Sequence, residues 1–474
     1  LQNQLKNLAV NKMAKQHNLL LAYYGDDFTG STDALEFLSR AGVKTVLFIE
    51  PPTPAQLARY KGLQAIGVAG MSRSMPPAQM EQELLPAFKA LKALGAPHVH
   101  YKVCSTFDSS PTMGSIGKAA DVGAIVFDGP FIPLLVAAPA LGRYCVYGNL
   151  YARMGIGSQG EIYRLDRHPS MSRHPSTPMD ESDLRLHMGK QTTQHIGLMD
   201  ILSIGLPEKE TEDKLEQIIN SGKEIVLFDA LYTGQLLSIG QLIDQYADKS
   251  QPLFSIGSSG IEMALGQLWE QQGLTEPVTN WPPAGKAKTM LVVSGSCSPV
   301  TAKQIAYALA NGFAEVAIDT VEIAGAQDIS ASTQKYIDEV NGLIKQGKSV
   351  IVHTSVGADD ARIDQTYQAF IKQGFTEQEI RTKTAQLYGE VLGRIVRGLA
   401  TSITLKRLVI AGGDTSSFVA RTMGIEAVEM IAPVAPGAPL CRAYAPGTAI
   451  DGIEVNFKGG QVGAENYFLR VLGS

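Results

Sequence analysis

The stretch GLIKQGKS, Gly342–Ser349, fits the pattern G-x-x-x-x-G-K-[ST] of a phosphate-cradling P-loop. Its surroundings decide both what it is and what the fold is. A P-loop needs a buried strand entering the glycine turn and a helix leaving it, because only then do free helix-start N–H groups surround a phosphate. Here the order is reversed. Upstream, STQKYIDEVNGLIKQ spaces Tyr336, Ile337, Val340, Leu343 and Ile344 three and four residues apart, which predicts an amphipathic helix ending near Gly347. Downstream, SVIVHTS reads as a strand. NSGKEIVLFDA, Asn220–Ala230, repeats that punctuation, with Gly222 and Lys223 closing a helix before a strand. Lys348 is therefore a helix-to-strand connector, and the chain reads as alternating helices and strands.

Short runs of branched apolar residues separated by helical patterns predict an α/β fold, with mostly parallel sheets flanked by helices. The clearest strands are LLLAYY, AIVFD, EIVLFD, PLFSIG, TMLVVSG, SVIVHT and RLVIAGG. TEPVTNWPPAGKAK, Thr275–Lys288, is rich in Pro and Lys without apolar periodicity, and reads as a linker. The expected division is a Rossmann-like N-terminal domain over 19–274, a linker over 275–288 and a smaller C-terminal nucleotide-binding domain over 289–474. GIGSQG, Gly155–Gly160, fits the dinucleotide pattern G-x-G-x-x-G, but EIYRLDRHP follows it where a helix should receive the pyrophosphate. Residues 1–12 read as an extension without a fold role, with Met13 a candidate start.

With 474 residues, 45% of them hydrophobic, the chain can build more than one core. A net charge of −5 supplies no basic field for nucleic acid or a membrane surface. Cys104, Cys145, Cys297 and Cys441 match no metal-ligand spacing and suit reduced thiols, so the expected location is cytoplasmic. No apolar run is long enough to span a bilayer.

Ligands of open parallel sheets bind beyond the carboxyl ends of strands, so the polar strand-to-helix turns are the candidates. In YYGDDFTGSTDALEFLSRAG, Asp26 and Asp27 follow a strand, and adjacent carboxylates on extended backbone point to opposite sides. One can face a ligand while the other bonds turn amides, as Asp often does. YKVCSTFDSSPTMGSIGKA offers Lys102, Ser105, Thr106 and Asp108, donors and acceptors suited to a hydroxylated anion. Two further turns, Ser294–Gly295–Ser296–Cys297–Ser298 before Pro299, and Gly412–Gly413–Asp414–Thr415–Ser416, present free amides and helix starts that favour phosphate. FKGGQVGAENYF adds Lys458 and the glycines Gly459, Gly460 and Gly463, which let backbone approach a ligand. A long loop, Tyr163–His187, crowds Arg164, Arg167, His168, Arg173 and His174; it is either a site element or a solvated basic face. Its end reads as a helix start, with Thr177 as cap and Pro178 first in the helix.

Taken in order, GDDFTGSTD, YKVCSTFDS, RHPSTPM, SGSCSPVTAKQ, GGDTS, PGAP and KGGQVG resemble the four-carbon acid sugar kinase family over nearly the whole chain from Leu19. The resemblance implies ATP-dependent phosphorylation of a tetronate such as threonate, erythronate or 3-oxo-tetronate, with an N-terminal acid-sugar domain and a C-terminal ATP domain. It implies nucleotide contacts from Ser294, Gly295, Ser296, Ser298, Gly412, Gly413, Asp414, Thr415, Gly460 and Gly463. It sets Asp26, Asp27, Lys102, Ser105, Thr106 and Arg173 or His174 toward the sugar acid. CSTFDS is similar to the 3-oxo-tetronate branch, whereas KGGQVG stands where the family usually has K-S-G-N-F-G.

Phosphoryl transfer needs an aligned hydroxyl, neutralised phosphate charge and exclusion of water. The expected mechanism gives Asp27 or Asp26 the role of general base, Mg²⁺ that of bridging the phosphates of ATP, and Lys102 with Arg173 that of pairing with the substrate carboxylate. Domain closure about the linker is expected, and a homodimer is left open. Two rival readings are a nucleotide-binding sensor without turnover and an NAD(P)-dependent oxidoreductase.

Overall fold

A computed structural model describes residues 18–154, 160–174 and 177–473, with the side chains of Gln378, Arg381 and Asp414 outside that description. Residues 1–12, most of GIGSQG, and Pro175 and Ser176 of the basic loop lie outside the described residues. The chain divides into two compact units, Leu1–Thr279 and Asn280–Ser474, at a point inside the Thr275–Lys288 stretch.

The first unit contains β1 (Leu21–Gly25), β2 (Thr45–Phe48), β3 (Ala65–Ala69), β4 (His98–Lys102), β5 (Ile132–Leu135), β6 (Arg143–Val146), β7 (Asn149–Arg153), β8 (Ile162–Arg164), β9 (Ile196–Met199), β10 (Ile225–Phe228) and β11 (Leu253–Gly257). Eight of them pair in parallel in the order β2-β3-β1-β4-β11-β5-β10-β9. Every residue of β1 is buried, as a strand covered by helices on both faces requires. The chain leaves β1 toward β2 on one side, and leaves β4 toward β5 on the other. The adjacent carboxyl ends of β1 and β4 therefore open at a topological switch point, where α/β sheets bind ligands. Strands β6, β7 and β8 form a separate antiparallel sheet.

The second unit contains β12 (Leu291–Ser294), β13 (Ala314–Ala317), β14 (Val350–His353), β15 (Arg407–Ala411), β16 (Ala427–Ala435), β17 (Ala438–Tyr444) and β18 (Glu454–Lys458). Its order is β13-β14-β12-β15-β18-β17-β16, parallel through β18 and antiparallel over the last two pairs. Here the switch falls between β12 and β15, since the chain leaves β12 toward β13 and leaves β15 toward β16. Arg407, wholly buried at the start of β15, pins the unit's terminal helix through the Val471 carbonyl at 2.6 Å and pairs with Glu454 at 2.6 Å.

GLIKQGKS is the connector its surroundings suggest: the helix Ser330–Lys345 ends, Gly347 turns the chain at φ 81°, and β14 follows. Two other expectations are corrected. AIVFD is not a strand, because Ala124–Val126 finish the helix Ile116–Val126, capped by Ser115 accepting from the Lys118 amide. Ala119, Ala120, Val122, Gly123 and Val126 form its buried face while Ile125 points to solvent, a helical periodicity that a five-residue window hides. The helix expected from Thr177 starts instead at Leu184, because Asp183 caps it by accepting from the Arg185 amide.

Candidate active site

At the switch point of the first unit, the Asp26 amide donates to the Lys102 carbonyl at 2.9 Å, so the β1–β4 pairing runs into the acidic pair. Asp27 then leaves the sheet with extended backbone and caps the helix Phe28–Arg40. Its carboxylate accepts from the Gly30 amide at 2.6 Å and the Thr29 hydroxyl at 3.0 Å. Sequence reasoning missed the third member. Arg73, in a single 3₁₀ turn after β3, lays its guanidinium across both acids: Nε and Nη2 donate to Asp26 at 3.0 and 2.7 Å, and Nη1 donates to Asp27 at 2.6 Å. A planar five-donor fork suits two carboxylates in a way a lysine could not. Burial pushes the Asp26 carboxyl up to about 6 against the pull of Arg73, and the charge of Asp27 adds to the rise.

Lys102 is also buried here, but its Nζ already faces the Asp33 carboxylate at 3.2 Å, and the Ser259 hydroxyl donates to the same carboxylate. Behind Lys102 lies Glu262, wholly buried with no hydrogen-bond partner on either oxygen among the described residues. Burial raises its carboxyl to about 8. His100 approaches it at 3.6 Å through Nε2, while Nδ1 lies 3.3 Å from the Ser255 carbonyl. Ser105 and Thr106 are buried in the turn after β4, where Thr106 meets the Cys104 sulfur at 2.9 Å and Phe107 holds a left-handed φ of 57°.

The cations of the basic loop are bonded within the loop or face solvent. Nδ1 of His174 lies 3.0 Å from the Thr177 hydroxyl, Arg164 pairs with Asp166 and Arg185 with Asp183. Arg173 is exposed in a 3₁₀ turn and makes no hydrogen bond to Asp26 or Asp27 among the described residues. The first unit thus brings Asp26, Asp27 and Lys102 together, followed by Ser105 and Thr106, and adds Arg73, Asp33, Ser259 and Glu262. Arg73 could have been found by inspecting the turn after AIGVA as well as the more conspicuous ones. A cavity of about 570 Å³ on the small antiparallel sheet, lined by Tyr144, Tyr151, Ile162 and Tyr232 among others, is apolar and includes none of these residues.

In the second unit three turns meet. β12, β15 and β18 are neighbours in register, Ser294 opposite Ala411 and Ala411 opposite Lys458, so the segments leaving them lie side by side. Ser298 caps the helix Pro299–Ala310 by accepting from the Val300 amide, and the Ser296 hydroxyl accepts from the Ser298 amide. Gly412 caps the helix Gly413–Met423 and donates its amide to the Lys458 carbonyl at 3.0 Å. The turns touch so closely that side chains are excluded. A Cβ on Gly295 would lie 2.5 Å from the Thr415 hydroxyl, and one on Gly460 would lie 2.8 Å from the Ser296 hydroxyl. The glycine segment after β18 is tied to the first helix by Thr301 donating to the Gly460 carbonyl at 2.8 Å and Gln304 donating to the Gly463 carbonyl at 3.0 Å. All the expected nucleotide residues converge on these turns, although the Asp414 side chain lies outside the described set. Two helix N-termini and a glycine segment at a switch point form a lattice of amides suited to phosphate.

Comparison with known proteins gives this geometry its chemistry. A family model described as a sugar-binding N-terminal domain matches residues 21–265, and one described as a nucleotide-binding C-terminal domain matches residues 291–468. The chain is 41% identical over 459 residues to the 3-oxo-isoapionate kinase of Paraburkholderia graminis, covering 97% of this chain and 95% of that protein. It is 27% identical to the 3-oxo-tetronate kinase of Salmonella typhimurium, covering 95% of this chain and 98% of that one. A crystal structure from Salmonella typhimurium LT2, described as a tRNA synthase, matches with a TM-score of 0.73 at 25% identity, over 95% of this chain and 98% of the other. A sugar-binding unit with an acidic strand-end site, joined to a nucleotide-binding unit, defines a phosphotransferase. Among phosphotransferases, the chain belongs to the four-carbon acid sugar kinase family. Among the described residues, no helix is long and apolar enough to cross a membrane.

Proposed function

We propose that this chain transfers the γ-phosphoryl group of ATP to a hydroxyl of a 3-oxo sugar acid. The 3-oxo acid is common to the names of both groups of relatives, and the identity of 41% against 27% puts 3-oxo-isoapionate ahead of 3-oxo-tetronate. The observation that carries the reading is the Asp26–Asp27–Arg73 cluster at the β1/β4 switch point, since a kinase acceptor needs an oriented base and little covalent chemistry.

The two aspartates divide the work. Asp27 is committed to the helix start, which leaves Asp26 as the general base, oriented by the bidentate grip of Arg73. A carboxylate raised to about 6 accepts a proton more readily than an ordinary one and is still ionised at neutral pH. Lys102, paired with Asp33, and Arg73, across Asp26 and Asp27, supply the positive charge of the site and offset the repulsion those three acids would exert on the carboxylate of the sugar acid.

Backbone amides at Ser294–Ser298, Gly412–Thr415 and Gly460–Gly463 cradle the nucleotide phosphates. Mg²⁺ would be held mainly by the phosphates of ATP itself. Among the described residues no three His, Cys, Asp or Glu side chains are grouped to hold an ion alone, and Mg²⁺ in kinase sites needs only one or two carboxylates beside the phosphates. Bound there, it neutralises phosphate charge. The expected setting is the cytoplasm.

The test is turnover of Asp26→Asn and Asp27→Asn with Mg·ATP and a 3-oxo sugar acid. The assignment requires a loss of about 10²–10⁴ in kcat for Asp26→Asn. Full turnover by that variant would remove Asp26 from the role.

A further inference from the structure

We infer that Lys458 is the electrostatic anchor of the phosphate cradle and that it takes up a proton when a nucleotide binds. The inference rests on the nucleotide-binding reading of the second unit and adds a residue and a linkage to it.

Lys458 ends β18, and its carbonyl receives the Gly412 amide, so its backbone is part of the junction of the three turns. Its side chain is wholly buried. Nζ donates to the Thr301 hydroxyl at 2.9 Å and sits 5.7 Å from the centre of the Tyr467 ring. Thr301 in turn donates to the Gly460 carbonyl, which places the amine directly behind the glycine segment.

Neither the helix Pro299–Ala310 nor the terminal helix carries a carboxylate, and the helix Gly413–Met423, packed on the same strand, brings Arg421, which donates to the Ser417 hydroxyl. The helix Pro299–Ala310 contributes Thr301 and Gln304, with Lys303 exposed on its outer side. The terminal helix contributes Tyr467, whose hydroxyl donates to Asn456 on the same strand as Lys458. Tyr467 is the titratable side chain that faces the amine from these two helices, through its ring. Among the described side chains no carboxylate forms an ion pair with Lys458; Asp414, in the neighbouring turn, is not among them.

A buried ammonium with one hydroxyl and one aromatic face as partners is poorly compensated, and burial lowers its pKa to about 7. Phosphates docked on the Ser296, Gly412 and Gly460 turns would supply the missing negative charge a few ångströms away. The amine then holds its proton to a higher pH, and by linkage the affinity for nucleotide falls as pH rises between the free and bound values. An amide cradle alone, carrying no titrating group, would give no such dependence.

The experiment is calorimetric titration of the full-length chain with MgADP in buffers of different ionisation enthalpy, between about pH 7.5 and 9, where the nucleotide's own phosphates are already ionised. The wild-type chain is expected to take up close to one proton per nucleotide, with Kd rising toward tenfold per pH unit. Lys458→Met, apolar and of similar length, is expected to bind about tenfold or more weakly at pH 7.5, with no uptake and a flat pH profile. Wild-type binding without proton uptake would overturn the inference while leaving the nucleotide site standing, and this arm does not depend on how the variant folds. Uptake persisting in Lys458→Met would move it to another group and overturn the assignment. Failure of MgADP to bind the wild-type chain at all would overturn the nucleotide site and the inference with it.

Discussion

Asp26 and Asp27 are neighbours in sequence with different tasks, and the difference is measurable. Asp27→Asn keeps an oxygen able to cap the helix Phe28–Arg40 but loses the ion pair with Arg73, whereas Asp27→Ala should also lose the cap, at about 1 kcal/mol of stability. Both should depress kcat less than Asp26→Asn does. Since the base must be ionised, the acid limb of the kcat/KM profile should fall below about pH 6, and a limb near 4 would contradict the raised carboxyl of Asp26. Glu262 offers a stability test. Its folded-state pKa of about 8 lies above the unfolded value of about 4.3, so the native state holds the extra proton and the burial cost grows as pH rises between those values. Glu262→Gln, neutral throughout, should therefore match the wild type below about pH 4 and exceed it by an order of a few kcal/mol above pH 8. Denaturant melts at the two extremes check this, and equal curves at high pH would contradict it. The acidic pair was legible because two carboxylates at the mouth of a strand stand out. Arg73, Asp33 and Glu262 were not, because each joins the site through a contact 46 or more positions along the chain that no local pattern encodes.

At the scale of elements, the glycine turns of the second unit derive their use from contact with one another. Gly460→Ala would drive a methyl to 2.8 Å from the Ser296 hydroxyl and 2.9 Å from Ser298 Cβ, so the cradle must open. The expected result is a rise of about tenfold or more in the Kd for MgADP, with a small change in Tm because the strain falls on turns rather than on core strands. Unchanged affinity would mean that these turns do not hold phosphate. The helix-to-strand order around GLIKQGKS was readable because amphipathic spacing over fifteen residues leaves one interpretation. AIVFD misled because a short apolar run fits a buried strand and the end of a buried helix equally, and only the Ser115 cap and the pairing of β5 at Ile132–Leu135 separate the two. The helix after the basic loop starts six residues later than expected because Asp183, rather than Thr177, satisfies its first amides. Short strands such as β2 and β3 left weaker marks than the fully apolar runs.

Over the whole molecule, the two switch points explain why one chain carries two unlike sites: each sheet reverses its winding once, and each reversal exposes a set of strand ends. The first set carries carboxylates and their cations; the second carries amides and hydroxyls. The alternation of elements made the α/β class readable from sequence, and the motifs made the kinase class readable. The acceptor was not, because its shape is set by side chains that meet only after folding. On the proposed reading, the two sets of strand ends serve a kinase for a 3-oxo sugar acid. The most direct measurement is ADP release by the purified chain with Mg·ATP across 3-oxo-isoapionate, 3-oxo-tetronates, and the D and L forms of threonate and erythronate. Turnover confined to the 3-oxo acids, with 3-oxo-isoapionate giving the highest kcat/KM, is the predicted result. Turnover on threonate or erythronate but on neither 3-oxo acid, or on no member of the panel, would contradict it.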